Sequence, residues 1–305
     1  DVRFSETIKE IFASLLYFEN WQLAISGTDY LDQNNPQSPV QHFWAMSIQG
    51  QFYVIWFIIV SLAIIISKKS GFTLKSVFTG VLLILFAVSL TYSVYITDTN
   101  QPWAYFDTGA RVFEFAVGGL LMVYIFNMNI HRYLSFLLGW LGLAILLFTG
   151  ILLDVQGTFP GIIALIPISA AVLILVAGQN PSKFGVEKLL GSTPLKFLGG
   201  LSYGVYLWHW PILIFYYEIF NVETVSLMHG LLIIALSLIL SYITTNIVEK
   251  PVINYINKNN FSFKGFSPLI GLALILVATL GSWYYYMNNE NSSSVANAED
   301  YPGIM

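Results

Sequence analysis

Residues 76–90 read SVFTGVLLILFAVSL. The run carries no charge and does not alternate apolar with polar positions, so it cannot make a strand with one wet and one dry face. A hydrocarbon core of about 30 Å is crossed by about 20 residues of α-helix, and lipid leaves only helices and closed barrels able to satisfy their own backbone. A barrel needs short alternating segments of about 10 residues. Similar apolar runs recur at about 47–67, 76–96, 111–126, 134–153, 159–178, 201–220, 226–247 and 267–287. The expected fold class is therefore all-α, a polytopic transmembrane helix bundle of about eight spans.

Composition points the same way. Of 305 residues, 56% are hydrophobic and only 10% charged, against about 25% charged in an ordinary soluble domain. Mean hydropathy is +0.69. The net charge of -4 comes with no basic cluster, so nucleic acid is not an expected partner. With no cysteine, disulfides, thiolate metal sites and cysteine nucleophiles are excluded. Metal-protease, nucleotide-loop, dinucleotide and nucleophile-elbow signatures are all absent, and no metal is expected.

Cations divide unevenly between the loops. Lys68, Lys69, Lys75, Arg132, Lys183, Lys188, Lys196, Lys250, Lys258 and Lys264, ten of the thirteen Lys and Arg, fall on one side. Arg3, Lys9 and Arg111 fall on the other side or at its boundary. By the positive-inside rule the lysine-rich side is cytoplasmic. Residues 1–46, too polar to span, and the tail are then extracytoplasmic, and the acidic Asp98, Asp107, Asp154, Glu218 and Glu223 lie in outer loops. The expected organisation is an outer segment 1–46, a transmembrane domain 47–260, a further helix 261–287 and a polar linker 288–305 of composition NNENSSSVANAED. Starting at Asp1 without a leader, the sequence reads as a piece of a longer one.

Polar groups inside spans are costly, which makes them the places to look for chemistry. Three constellations stand out. In the first, His42 and Trp44 precede a span opening with Gln49, Gln51 and Tyr53. It serves either as an interfacial aromatic belt or as a polar site at headgroup depth. In the second, Arg111 and Glu114 lie three apart on one helical face and can pair, as a structural ion pair or as a functional one. In the third, His209 sits near mid-span between Trp208 and Trp210, before Pro211, with Tyr206 and Tyr203 placed to share its face. Proline frees a backbone carbonyl there. His209 can act as a general base or an oxyanion donor, or simply pack in the core.

At these three points the chain resembles the membrane-bound acyltransferase family 3. His42 to Tyr53 (HFWAMSIQGQFY) resembles its H-x-W-S-L-S-V-E-E-Q-F-Y stretch, and Arg111 to Gly118 its R-x-x-E-x-x-x-G helix start. Ser202 to Pro211 resembles S-Y-x-x-Y-L-W-H-W-P, and Glu249-Lys250-Pro251 the closing E-R/K-P. One departure is clear: the family's paired glutamates are here Gln49 and Gly50, so no carboxylate is supplied at that point. The resemblance implies ten spans, or eleven in members fused to an outer SGNH-type hydrolase-like domain. The eight spans here match the last eight of eleven, and the tail resembles the connector to such a domain. The family's principal catalytic histidine and paired arginines would lie in preceding spans.

The implied function is an O-acyltransferase, an O-acetyltransferase foremost, with acetyl-CoA as cytoplasmic donor and a cell-surface glycan hydroxyl as acceptor. Membrane lipid and the chain's own SGNH-type domain are its other implied partners. The candidate catalytic residues are His209, Tyr206, Arg111, Glu114, His42, Gln51 and Tyr53. Trp44, Trp208 and Trp210 are candidates for substrate binding, and Lys196 and Lys250 for the coenzyme phosphates unless they serve topology alone. A transporter or flippase for a lipid-linked saccharide is the alternative. It would share buried charges and a broken helix, but transporters commonly show paired repeats with matching breaks, and only one span here carries a central His-Trp-Pro.

Overall fold

The computed structural model describes residues 2–27, 37–126, 128–152, 157–222, 224–259 and 262–299, and places the side chains of all of these but residues 2–5, 263 and 287–299. Asp154, Glu223 and the end of the tail from residue 300 lie outside the described residues. All regular structure among those described is helical. The chain divides into two compact units, one of Leu16–Gln37 and Gln41–Gly200, the other of Asp1–Leu15, Ser38–Val40 and Leu201–Met305.

Helix α1 (Val2–Leu15) belongs to the second unit. The first unit then runs α2 (Glu19–Ser26), α3 (Phe43–Ser70), α4 (Leu74–Thr99), α5 (Gln101–Phe106), α6 (Val112–Ile125), α7 (Arg132–Leu152), α8 (Leu165–Gln179), α9 (Val186–Leu190) and the first turns of α10 (Thr193–Phe220). The second unit continues with α11 (Leu227–Thr244), a π-helical stretch Thr245–Glu249, α12 (Lys250–Lys258) and α13 (Phe263–Glu299). Local sequence sets these boundaries. Gly71 closes α3 in a left-handed conformation at φ 76°, returning its N–H to the Ser67 carbonyl. Thr73 caps α4 by accepting from the Ser76 N–H, and Asn100 caps α5 by accepting from that of Trp103.

Every expected span is found as a helix, and six segments among the described residues are long and apolar enough to cross a membrane: Phe43–Ser70, Leu74–Thr99, Arg132–Leu152, Ile162–Gln179, Leu227–Lys258 and Lys264–Tyr286. The protein is a multi-pass membrane protein. Six of the expected eight meet that measure of length and apolarity. The other two fall short for opposite reasons: α6 has only 14 residues, and α10 has length but carries Ser202, Tyr203, His209 and Trp210 in its middle. Nor does the polar composition from residue 288 end a helix, since α13 runs on to Glu299. Extending a formed helix costs far less than starting one, and no proline or glycine follows Gly281 before Pro302.

Without a hydrophobic drive between helices in lipid, small residues bring the backbones together. In the first unit, α7 meets α8 at Gly142, where an added Cβ would stand 2.7 Å from the Ala170 carbonyl oxygen. Gly150, two turns along the same helix, has nothing within 4 Å. Gly142→Val should cost about 1–3 kcal/mol by overpacking, and Gly150→Val should leave the melting temperature in detergent unchanged. Equal melting of the two variants would show that this crossing is looser than described.

Candidate functional site

In the first unit the start of α3 presents Ser47 and Gln51, one turn apart, to the chain entering α2. The Ser47 hydroxyl accepts from the Glu19 N–H at 3.2 Å. The Gln51 amide donates to the Tyr17 carbonyl at 2.8 Å and to Asn20 Oδ1 at 2.8 Å. Its oxygen accepts from Trp21 Nε1 at 3.3 Å and from the Thr108 hydroxyl at 2.6 Å. Both donors and both lone pairs of this amide are used. Gln51, a candidate for chemistry in the sequence, is thus a positioning residue that fixes α2 and the 106–108 turn to α3.

Asn20, fully buried, extends the network from its Nδ2 to the Phe106 carbonyl at 3.0 Å and the Thr108 hydroxyl at 3.1 Å. Asp107 accepts from the Gly109 N–H at 2.6 Å, from Tyr92 Oη at 2.5 Å and from Trp103 Nε1 at 3.1 Å. Ser89 of α4 donates to the Gly109 carbonyl and accepts from the Phe113 N–H, binding the start of α6 to α4. This turn carries Arg111 into place, its N–H on the Thr108 carbonyl.

Arg111 is only 7% exposed. Its Nη1 donates to Glu114 Oε1 at 3.0 Å and its Nη2 to the Tyr105 carbonyl at 3.1 Å. The rings of Trp44, Tyr105 and Phe159 surround the guanidinium, with their centroids 5.5, 5.2 and 4.8 Å from Cζ. Cation–π attraction adds about 0.5–2 kcal/mol per ring, more as water is excluded. The pair expected from i, i+3 spacing is present, in an aromatic box that the spacing did not foretell. Glu114, 27% exposed at its side chain, also lines a groove of about 990 Å³ whose other walls include Trp56, Phe78, Phe115 and Met122. It is the one charged side chain in that lining among the described residues.

The other candidates of this unit are placed differently. His42 is buried at the entry to α3. Tyr53 is 66% exposed and accepts from the Gln49 amide at 3.0 Å. Lys196 is exposed in the first turn of α10.

The second unit holds the histidine constellation. His209 Nδ1 lies 3.0 Å from the Val205 carbonyl, and the Tyr206 ring stacks obliquely at 5.8 Å between centroids. With Nδ1–H on that carbonyl, Nε2 is the acceptor of the neutral ring. The tautomer is therefore set by backbone one turn back. Trp208 Nε1 donates to Thr244 Oγ1 at 3.3 Å and Trp210 Nε1 to the Ser38 carbonyl at 2.9 Å, so both indoles are anchors of α10. Ser38 also bonds Glu10, whose carboxyl burial pushes up, with that bond working in the other direction. Lys250, exposed, donates to Asn246 Oδ1 at 2.8 Å beside the π-helical stretch.

Sequence reasoning missed Asn20, Tyr105 and Phe159, and placed Asp107 and Thr108 in the stretch Phe106–Glu114 around Arg111 without a role for either. The run Tyr17-Phe18-Glu19-Asn20-Trp21-Gln22, aromatic and polar by turns, was a signal for the first. Phe159 gave none.

A family profile described as an acyltransferase domain matches residues 11–246. The peptidoglycan O-acetyltransferase OatA of Listeria monocytogenes is 28% identical over 276 residues, covering 84% of this chain and 42% of that protein. A putative peptidoglycan O-acetyltransferase of Bacillus subtilis, YrhL, is 29% identical over 255 residues, covering 80% and 39%. A putative membrane-bound transacylase of Komagataeibacter xylinus, BcsY, is 27% identical over 270 residues, covering 88% and 64%. The chain thus spans less than half the length of the first two. No solved structure matches it. The chain belongs to membrane acyltransferase family 3.

Proposed function

We propose that this family member moves an acetyl group from acetyl-CoA on the cytoplasmic side to a hydroxyl of an extracytoplasmic glycan of the peptidoglycan or polysaccharide type. The observation that carries the reading is the buried Arg111–Glu114 pair, boxed by three aromatic rings at the edge of an apolar groove. Burying an ion pair in a membrane helix is expensive and marks function by default. The relatives' names agree with acyl transfer to such polymers.

In the reaction the acceptor hydroxyl oxygen bonds to the acyl carbon, the carbon–sulfur bond breaks, and the hydroxyl proton ends on the leaving thiolate. His209 is the group in this chain fitted to carry that proton, because the Val205 carbonyl leaves Nε2 as its acceptor. A charged coenzyme cannot cross hydrocarbon, so its phosphates stay on the lysine-rich face, where Lys196 and Lys250 act as point charges. An SGNH-type outer domain in the longer protein would receive or use the acetyl group outside.

The test is the full-length protein in proteoliposomes with acetyl-labelled coenzyme inside and glycan outside. Label on the glycan is the expected result. Saccharide crossing without any acetyl donor would instead establish a transporter.

The orientation has its own test. Ser26→Cys should react with an impermeant thiol reagent on intact cells and Lys69→Cys should not. The reverse pattern would invert the topology that the ten inner cations support.

A further inference from the structure

An exposed aromatic surface flanks the polar network of the first unit. Phe18 is 52% exposed and Tyr17 50%. Phe18 and Trp21 lie 6.4 Å apart between ring centroids at 33°, and Trp21 and Trp103 lie 6.0 Å apart at 63°. The four side chains come from α5, from the first turn of α2 and from the two residues that lead into it.

Aromatic residues that anchor a protein at the membrane interface keep their polar handle toward the wet side. Here the arrangement is the opposite. The Trp21 N–H points inward to Gln51 Oε1 and the Trp103 N–H inward to Asp107 Oδ2. Both indoles are half-buried, and what they turn outward is hydrocarbon ring surface. Gln51 and Asp107 are the residues that also fix the turn leading to Arg111, so this surface is continuous with the candidate site.

Tyr17 shows the surface is held in place. Its φ of 58° is a left-handed conformation that a non-glycine residue enters at a cost of about 1–2 kcal/mol. Two contacts maintain it. The Tyr17 carbonyl accepts from Gln51 at 2.8 Å. The Tyr17 ring lies over Gly50 so closely that a Cβ there would stand 2.1 Å from Cδ1 and 2.6 Å from Cε1. Gly50 stands where the family's pattern has a glutamate. In this chain the space of that side chain belongs to an aromatic ring. Strain of this kind persists where the surroundings over-determine it, and it clusters at ligand sites.

We propose that Tyr17, Phe18, Trp21 and Trp103 form the subsite for a sugar ring of the glycan acceptor. A pyranose presents faces of C–H groups inside a rim of hydroxyls. Fixed aromatic faces bury the first, and the second stays in water or reaches the polar groups beside the rings. The inference rests on the reading of the acceptor as a glycan.

The test uses the full-length protein, a soluble β-1,4-linked N-acetylhexosamine tetramer as acceptor, and labelled acetyl-CoA. Phe18 makes no side-chain hydrogen bond in the structure and is half exposed, so Phe18→Ala should fold normally. It should raise the KM for the tetramer, and its Kd by equilibrium dialysis, roughly tenfold, the scale of one aromatic contact. The kcat and the KM for acetyl-CoA should stay unchanged, and Phe18→Trp should restore tetramer binding. Unchanged tetramer KM and Kd in Phe18→Ala would overturn the subsite, as would a loss of membrane yield with binding intact. Wild-type protein that binds the tetramer but transfers no acetyl group would count against the proposed reaction, while the Kd comparison would still decide the subsite.

Discussion

Glu114→Ala and Arg111→Ala should each destabilise the protein by roughly 3–5 kcal/mol, the cost of leaving a buried charge without its partner. The two are not equivalent. Removing Glu114 strands a guanidinium that is 7% exposed, although the Tyr105 carbonyl and three ring faces still attend it. Removing Arg111 strands a carboxylate that is 27% exposed at its side chain and can recruit water from the groove, but it also empties the aromatic box. Glu114→Gln should be the mildest change, because an amide oxygen can still accept from Nη1. The box also decides the fate of a charge reversal. Ring faces are electron-rich, so a carboxylate at 111 among Trp44, Tyr105 and Phe159 would be repelled where the cation is attracted. The double variant Arg111→Glu, Glu114→Arg should therefore stay as damaged as either single one. Melting of the purified variants in detergent measures all four. Recovery by the reversed pair would mean that the pairing alone matters and the box does not.

The parts of this protein that follow from chemistry local in sequence were legible in it. Apolar runs such as 76–90 announce their helices because hydrocarbon admits no other continuous chain. Arg111 and Glu114 announce their pairing because residues three apart share a helical face. Two of the residues that complete the site come from far away: Trp44 and Phe159 join Tyr105 only because α3 and the turn before α8 converge on Arg111. No periodicity encodes that meeting. Short helices α1 and α2 escaped for another reason. The first 46 residues are too polar to span a membrane, and the fully buried Asn20 and Glu19 inside them signal burial only once α3 is there to cover them. Gln51 shows a third limit. Its side chain type permits catalysis, and only its four simultaneous hydrogen bonds reveal that its capacity is spent on holding three segments together.

His209→Gln should lower acetyl transfer by the full-length protein by about 10² or more while leaving yield and melting near those of the wild type, the scale of a lost acid–base group. Stability should survive because the side chain is only partly buried and its Nδ1 is anchored locally, on the Val205 carbonyl one turn back at 3.0 Å. A glutamine Nε2 can reach a carbonyl at similar distance, so the contact with α10 is conserved. What glutamine cannot do is accept a proton at neutral pH and return it. The neighbouring anchors make the substitution a clean one: Trp208 on Thr244 and Trp210 on the Ser38 carbonyl hold α10 on both sides of position 209 without help from the imidazole. A solvent deuterium isotope effect separates proton transfer from packing. If His209 carries the proton, wild-type kcat should fall in heavy water, and His209→Gln should lose that isotope effect along with the rate. A variant that keeps near-normal transfer, or keeps the isotope effect while losing rate, would reduce His209 to a packing residue of α10.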